Sequence, residues 1–174
     1  RANPRQSYAV YLPAGYREDR EWPLLVLLDP RGRALLPLER VQLVADRLGY
    51  MVVSSYNSRS DEAVDPNADV INAILDDADR MLALDPRRIY LVGQSGTARV
   101  SWLFAAGLPG NVAGVIGIGA GFPGDYRPRA RAAGEQRGFA FFGAAGTDDY
   151  NFDEMWSLDA TLDSLNLPHR ITWF

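Results

Sequence analysis

Cysteine is absent and histidine occurs once, at position 169. The first absence excludes disulfides and thiolate metal sites, and a single imidazole leaves very few combinations for a zinc or non-haem iron centre, so a metal enzyme is not expected. No run of basic residues is interleaved with aromatics, and the formal net charge is -4; the electrostatic footprint of a nucleic-acid binder is missing. Long apolar runs are missing too. The longest aliphatic stretch, Leu24-Leu25-Val26-Leu27-Leu28, falls far short of the roughly 20 residues a helix needs to span a bilayer. Neither internal repeats nor low-complexity tracts occur.

The 174 residues, 47% hydrophobic and 23% charged, suffice for one sizeable core and are too few for two comfortable domains. Residues 1–174 therefore read as a single α/β domain. The chain opens at Arg1 with no leader and closes on the apolar Ile171-Thr172-Trp173-Phe174 with no turn behind it. The domain is accordingly expected to be incomplete at both ends.

Ser7 to Leu12 has the β-branched and aromatic content of a strand and ends in Pro13-Ala14-Gly15. Trp22 to Leu28 is apolar on both faces, as in the buried middle of a parallel sheet. Val41, Val44 and Leu48 mark the apolar face of a helix that Gly49 is placed to stop in a left-handed cap. Tyr50 to Ser55 makes the next strand. After Asp65-Pro66, the positions Val70, Ile71, Ile74, Ala78, Met81 and Leu82 form one face of a helix stopped by Asp85-Pro86. Ile89 to Val92, Val112 to Ile118, Gly138 to Gly143 and His169 to Phe174 read as further strands. Val100, Leu103 and Phe104 mark one intervening helix, and Phe152, Met155, Trp156, Leu162 and Leu165 another. Such alternation predicts a doubly wound, mostly parallel sheet with helices on both faces, right-handed crossovers, and ligands bound beyond the carboxyl ends of the strands.

At one strand-to-helix junction stands Gly93-Gln94-Ser95-Gly96-Thr97. Glycines before and after the serine permit a sharp, strained turn that lifts the hydroxyl clear of the sheet, the geometry of a nucleophile elbow, although its fifth position is Thr97 instead of glycine. The plainer alternative is a phosphate-cradling or ordinary tight turn. The strand and helix context favours catalysis, and the absence of a following lysine removes the nucleoside-triphosphate version of that alternative.

A serine hydroxyl needs a base, and the base an orienting acid. Gly146-Thr147-Asp148-Asp149-Tyr150-Asn151 lies just past a strand and so at the same sheet edge as Ser95. Asp149 is favoured over Asp148 as the acid by its place in the loop, while capping the helix that starts near Phe152 is the structural alternative for either. His169 precedes its strand, and five residues of rise put it roughly 15 Å from the edge where Ser95 emerges. It reads as a structural histidine at a strand start, and the working histidine is expected after Phe174.

Two backbone N–H groups are the expected oxyanion donors: Gly96 at the helix start and, because Pro30 has none, Arg31 in the loop after the second strand. Asn57 in the polar loop 56–61, and Gln94 beside the serine, are candidates for substrate contact. Trp102 reads as core more readily than as pocket lining. Gly119-Ala120-Gly121-Phe122-Pro123-Gly124 matches a dinucleotide-binding spacing, yet Pro123, Asp125 and Pro128 prevent the helix that must follow, so it reads as a loop.

With these segments in this order, the chain resembles the α/β-hydrolase superfamily over nearly all of its length. Tyr8 to Pro13, Leu28-Asp29-Pro30-Arg31-Gly32 and Gly93-Gln94-Ser95-Gly96 look most like the branch of polyhydroxybutyrate depolymerases, feruloyl esterases and related esterases. That resemblance implies ester hydrolysis through an acyl-enzyme, with Ser95 as nucleophile, Asp149 as acid, Gly96 and Arg31 as backbone donors, no cofactor, and a small-molecule or polymeric ester as substrate. It also favours an exported protein, periplasmic or secreted. Asp29-Pro30 stands where many relatives have His-Gly. The competing readings are a serine peptidase of the same fold, a hydrolase-fold domain that binds without catalysis, and a nucleotide-binding doubly wound domain.

Overall fold

The computed structural model describes residues 3–62, 65–108, 110–121 and 139–174. Among them the strands are β1 (Tyr8–Tyr11), β2 (Trp22–Leu28), β3 (Met51–Ser55), β4 (Leu84–Gln94), β5 (Gly114–Ile118), β6 (Ala140–Ala145) and β7 (His169–Trp173). The helices are α1 (Leu35–Leu48), α2 (Asn67–Met81), α3 (Gly96–Gly107) and α4 (Phe152–Ser164). All strands join one sheet in the order β1-β3-β2-β4-β5-β6-β7. Only β1 pairs antiparallel, with β3; the other neighbours are parallel.

Strand alternation sorts the core into two layers. Leu24, Val26 and Leu28 of β2 join Ile71 and Ile74 of α2, Trp102 of α3, and Met155 and Leu162 of α4 in the larger cluster. Leu27, between them, joins Leu38 and Ala45 of α1 and Val52 of β3 in the smaller one. Helices thus lie on both faces, and the handedness rule explains their division. The connections through α2, α3 and α4 step one way along the sheet and share a face, while the connection through α1 steps back and takes the other.

Past α1, that second face is uncovered among the described residues. A groove of about 660 Å³ is lined there by Leu25, Val44, Leu48, Tyr90, Ile116 and Phe142, among others. The apolar positions read from helical spacing in α1 belong to it: Val44 is 56% and Leu48 62% exposed. Gly49 does adopt the left-handed cap, with φ 71°.

Several boundaries differ from expectation. Helix α2 ends at Met81, and Asp85-Pro86 lies inside β4, where the register slips between Trp22↔Leu84 and Leu24↔Ile89. The buried Asp85 carboxylate holds this irregularity together, accepting from Arg87 N at 3.0 Å and from Arg88 Nε at 2.6 Å. The strand read from Val112 begins at Gly114, and that read from Gly138 to Gly143 extends to Ala145, its described part starting at Ala140 with Gly138 outside the described residues.

Candidate active site

Ser95 sits at the carboxyl end of β4 with φ 54° and ψ -130°, a backbone region that costs a non-glycine residue about 1–3 kcal/mol. Its surroundings enforce the turn. Ser95 N donates to Ile118 O at 2.9 Å. A Cβ on Gly93 would stand 2.4 Å from Thr97 O, and one on Gly96 2.5 Å from Ser60 Cβ. Both glycines are therefore required by close approach. Gly96 N–H, at the start of α3, has no acceptor among the described residues.

Thr97 explains how the turn dispenses with a glycine at its fifth position. The side chain is fully buried. Its Oγ1 accepts from Gln94 N at 3.0 Å and lies 2.6 Å from Leu28 O and 2.8 Å from Gln94 O, to one of which it donates. The hydroxyl so ties the serine turn to the end of the neighbouring strand β2, a role that no local pattern reveals.

Ser95 opens on a polar cleft of about 490 Å³, lined by Pro30, Arg31, Arg33, Ser60, Asp61, Gln94 and Ser95. Asp61 also has a positive φ, 62°. The floor of the cleft is the loop after β2, organised by the buried Asp29. Its Oδ1 accepts from Arg31 N at 2.8 Å, Arg33 N at 3.1 Å and Arg33 Nε at 3.0 Å, and its Oδ2 from Arg33 Nη2 at 2.9 Å. Burial pushes this carboxyl up, but the Arg33 guanidinium and the two amides outweigh it and hold Asp29 below the usual carboxylate range.

Arg31, the expected second donor, belongs to this arrangement. Its amide donates to the carboxylate two residues back, as in an Asx turn, and the exposed residue lines the cleft. Asn57, expected as a substrate contact, also has a partner. Its Oδ1 accepts from Ser7 N at 2.8 Å and from Ser7 Oγ at 3.0 Å, so its carboxamide pins the approach to β1 and takes no part in lining the cleft. Gln94 does line it.

Asp149 lies in the loop after β6. Its Oδ1 accepts from Asn151 N at 2.8 Å, and its Oδ2 is 3.0 Å from where a Cβ on Gly119 would stand. Gly119 immediately follows Ile118, the residue that receives the Ser95 amide. The carboxylate is half-buried at the rim where Ser95 emerges, whereas Asp148 is exposed. Neither caps α4, whose N-cap is Asn151.

A network not foreseen from sequence joins the two loops. Arg99 in the first turns of α3 donates through Nε to Glu154 Oε1 at 3.1 Å and through Nη2 to Asn151 Oδ1 at 3.0 Å and Glu154 Oε2 at 2.5 Å. Glu154 Oε1 also accepts from Gly121 N at 3.0 Å, and Asn151 Nδ2 donates to Gly119 O at 2.7 Å. The hydrogen bond with Glu154 pushes the Arg99 guanidinium above its ordinary value. The partners lie 55 positions apart in sequence, beyond the reach of any local signal.

His169 begins β7 opposite Phe141, at the amino end of the sheet. Its Nδ1 is 2.7 Å from Leu167 O and its Nε2 3.3 Å from Asp159 Oδ1. Trp102 is buried, its ring centroid 5.2 Å from that of Phe141. Of the Gly119 to Gly124 segment, Gly121 packs so tightly that a Cβ would meet Leu158 Cδ2 at 2.3 Å; residues 122–124, and with them Pro123, Asp125 and Pro128, lie outside the described residues. No group of three or more histidine, aspartate or glutamate side chains able to hold a metal occurs among the described residues. No described helix is long and apolar enough to cross a membrane.

A parallel sheet entered by one antiparallel strand, with a strained serine turn at its carboxyl rim, is the α/β-hydrolase fold, and solved structures of esterases and serine hydrolases share it. A thermostable esterase superposes with a TM-score of 0.73 at 20% identity, covering 99% of this chain and 52% of that one. The chain thus spans about half the length of that esterase. FphF, a fluorophosphonate-binding serine hydrolase of Staphylococcus aureus, gives a TM-score of 0.79 at 14% identity over 99% of this chain and 87% of its own. A dipeptidyl peptidase 4 of Porphyromonas gingivalis gives 0.69 at 14% identity, covering 97% of this chain and 30% of that enzyme. No protein-family model matches the sequence, nor does any curated protein.

Proposed function

We propose that this chain carries the nucleophile and the acid of a serine hydrolase that cleaves carboxylic esters through an acyl-enzyme. The observation that carries the reading is Ser95 held at positive φ between two obligatory glycines, at the rim that also bears Asp149. In this reading Ser95 Oγ attacks the acyl carbon as a histidine takes its proton, and the alcohol leaves with that proton as the ester C–O bond breaks. Water then attacks the acyl-serine by the same route in reverse and frees the acid. Gly96 N–H is available to the developing oxyanion, and Asp149 orients the histidine. His169 stands at the opposite end of the sheet, so the reading places the working histidine in chain that follows Phe174. No cofactor enters the sequence of steps, and the substrate is a small-molecule or polymeric ester. Export to the periplasm or medium fits the same reading.

The test uses the full polypeptide, including whatever follows Phe174, with a short-chain aryl ester. Turnover that disappears in Ser95→Ala supports the proposal; no Ser95-dependent turnover, or full turnover in that variant, refutes it. Amide substrates cleaved in preference to esters would move the reading to a peptidase. A continuation without histidine within roughly 15 residues of Phe174, a generous loop length, would move it to a domain that binds without catalysis.

A further inference from the structure

The nucleophile and acid of the proposed reaction come from the ends of β4 and β6, with β5 between them. The paired register of β5 and β6 ends near Ile118 and Ala145, and past it the backbone is tied at single points, Gly119 N to Ala144 O at 2.8 Å and Thr147 N to Phe174 O at 2.7 Å. Beyond that, the separation of Ser95 from Asp149 depends on how residues 119–121 and 146–151 are held. Arg99 spans this gap. It is placed by the helix that the serine turn starts, its own N–H pointing back to Ser95 O at 3.4 Å. Its guanidinium grips Glu154 and Asn151 together. Glu154 in turn holds Gly121 N, Asn151 holds Gly119 O, and the Asn151 amide holds the Asp149 carboxylate. The circuit closes through Ser95 N on Ile118 O.

We propose that Arg99, through Glu154 and Asn151, is a positioning residue that fixes the Asp149 loop against the serine turn for the hydrolysis proposed above. This rests on that reading of Ser95 and Asp149. A planar fork suits the role, because it engages the Glu154 carboxylate through two nitrogens and still reaches Asn151. The Arg99 and Glu154 side chains are 30% and 27% exposed, shielded enough from solvent for the pair to hold one geometry. Their charges cancel, so the clamp orders the loop without placing a net charge beside Asp149.

The test compares Arg99→Met, Arg99→Lys and Glu154→Gln in the full polypeptide, with Arg88→Met as an ion-pair control at the other end of the sheet. Displacements of about an ångström in a reacting geometry cost on the order of a hundredfold in rate. Arg99→Met is accordingly expected to lower kcat by roughly ten- to a hundredfold, with KM within about twofold. Arg99→Lys recovers part of the loss, and Glu154→Gln falls in the same direction. The rate at which a fluorophosphonate labels Ser95 falls in parallel with kcat, while Arg88→Met changes neither. Wild-type kcat in a folded Arg99→Met protein, or an equal loss in Arg88→Met, overturns the proposal. If Arg99→Met does not fold, Glu154→Gln and Arg99→Lys decide it by the same criteria. Failure of wild-type Ser95 to label or turn over would instead strike the hydrolase reading itself.

Discussion

Thr97→Val isolates a single hydroxyl. The replacement keeps the branch at Cβ and nearly the same volume, in a site with no exposure to solvent. It deprives Gln94 N–H of its acceptor and removes the donor that reaches Leu28 O or Gln94 O. One lost hydrogen bond contributes about 1 kcal/mol, and a buried amide left without an acceptor about 1–3 kcal/mol more. The expected destabilisation is therefore about 2–4 kcal/mol. At about 2–4 °C per kcal/mol for a chain of this size, Tm falls by at least about 4 °C. Thr97→Gly, which brings the turn closer to the usual elbow pattern, is expected to be less stable still, because it adds the helix cost of glycine, about 1 kcal/mol. Thr97→Ser keeps the hydroxyl and loses little more than a methyl group, about 1 kcal/mol. Thermal unfolding followed by circular dichroism, with urea titration as a second probe, orders the three. A Tm for Thr97→Val within 2 °C of the parent, on a scale of about 2–4 °C per kcal/mol, or a Thr97→Gly protein more stable than Thr97→Val, would refute the argument that this hydroxyl braces the turn.

Gly93→Ala should be among the most damaging single changes, because the new methyl meets the backbone of Thr97 at 2.4 Å and backbone cannot rotate aside; a soluble protein with unchanged Tm would contradict this. Stability should decline in acid through Asp29 and Asp85. Burial pushes Asp29 up, but Arg33 and the loop amides bring its carboxyl below the ordinary value; for Asp85 the lowering comes first from Arg88. A depressed carboxylate contributes stability that is fully present above its unfolded pKa, near 4, and is lost as pH falls through the lower folded value. Urea titrations at descending pH should show that the Asp29→Asn, Asp85→Asn double variant loses less stability below about pH 4 than the parent; parallel losses would refute the assignment. Finally, Phe142→Glu on the open sheet face, where Phe142 is 40% exposed, should leave Tm of the 174-residue chain nearly unchanged and reduce its binding of a hydrophobic dye; undiminished dye binding would mean that the groove is not the surface being read.

The sheet was legible wherever an element's cause is local. Trp22 to Leu28 could be bounded from its unbroken apolar run, the left-handed cap at Gly49 from its position, and the sharp turn at Ser95 from the glycines beside it. Illegible features depend on partners distant in sequence. The periodicity of Val41, Val44 and Leu48 announces an apolar face but says nothing of whether anything lies against it. Asn57 looked free in a polar loop because Ser7, its partner, is 50 positions away. Arg99 and Glu154 carry no mark of each other for the same reason. Arg31 is different, since Asp29-Pro30-Arg31-Gly32 contains the signature of an aspartate side chain accepting from the amide two residues on, and that competition for the Arg31 N–H was readable. Asp85-Pro86 looked like a helix stop; the arginines that follow it instead satisfy a buried carboxylate within an irregular strand.

The direction in which the strands are laid down has a consequence for how the sheet is finished. From β4 onward, successive strands are added toward the same flank, so a right-handed path brings the described helices α3 and α4 to the side shared with α2. No lengthening of the links through α3 and α4 would shelter Tyr90, Ile116 or Phe142 on the reverse side. Shelter there has to come from chain outside the links through α3 and α4, or from another molecule. Changes to that roof and changes to the serine rim are accordingly separable: the first should register in solubility and assembly, the second in turnover.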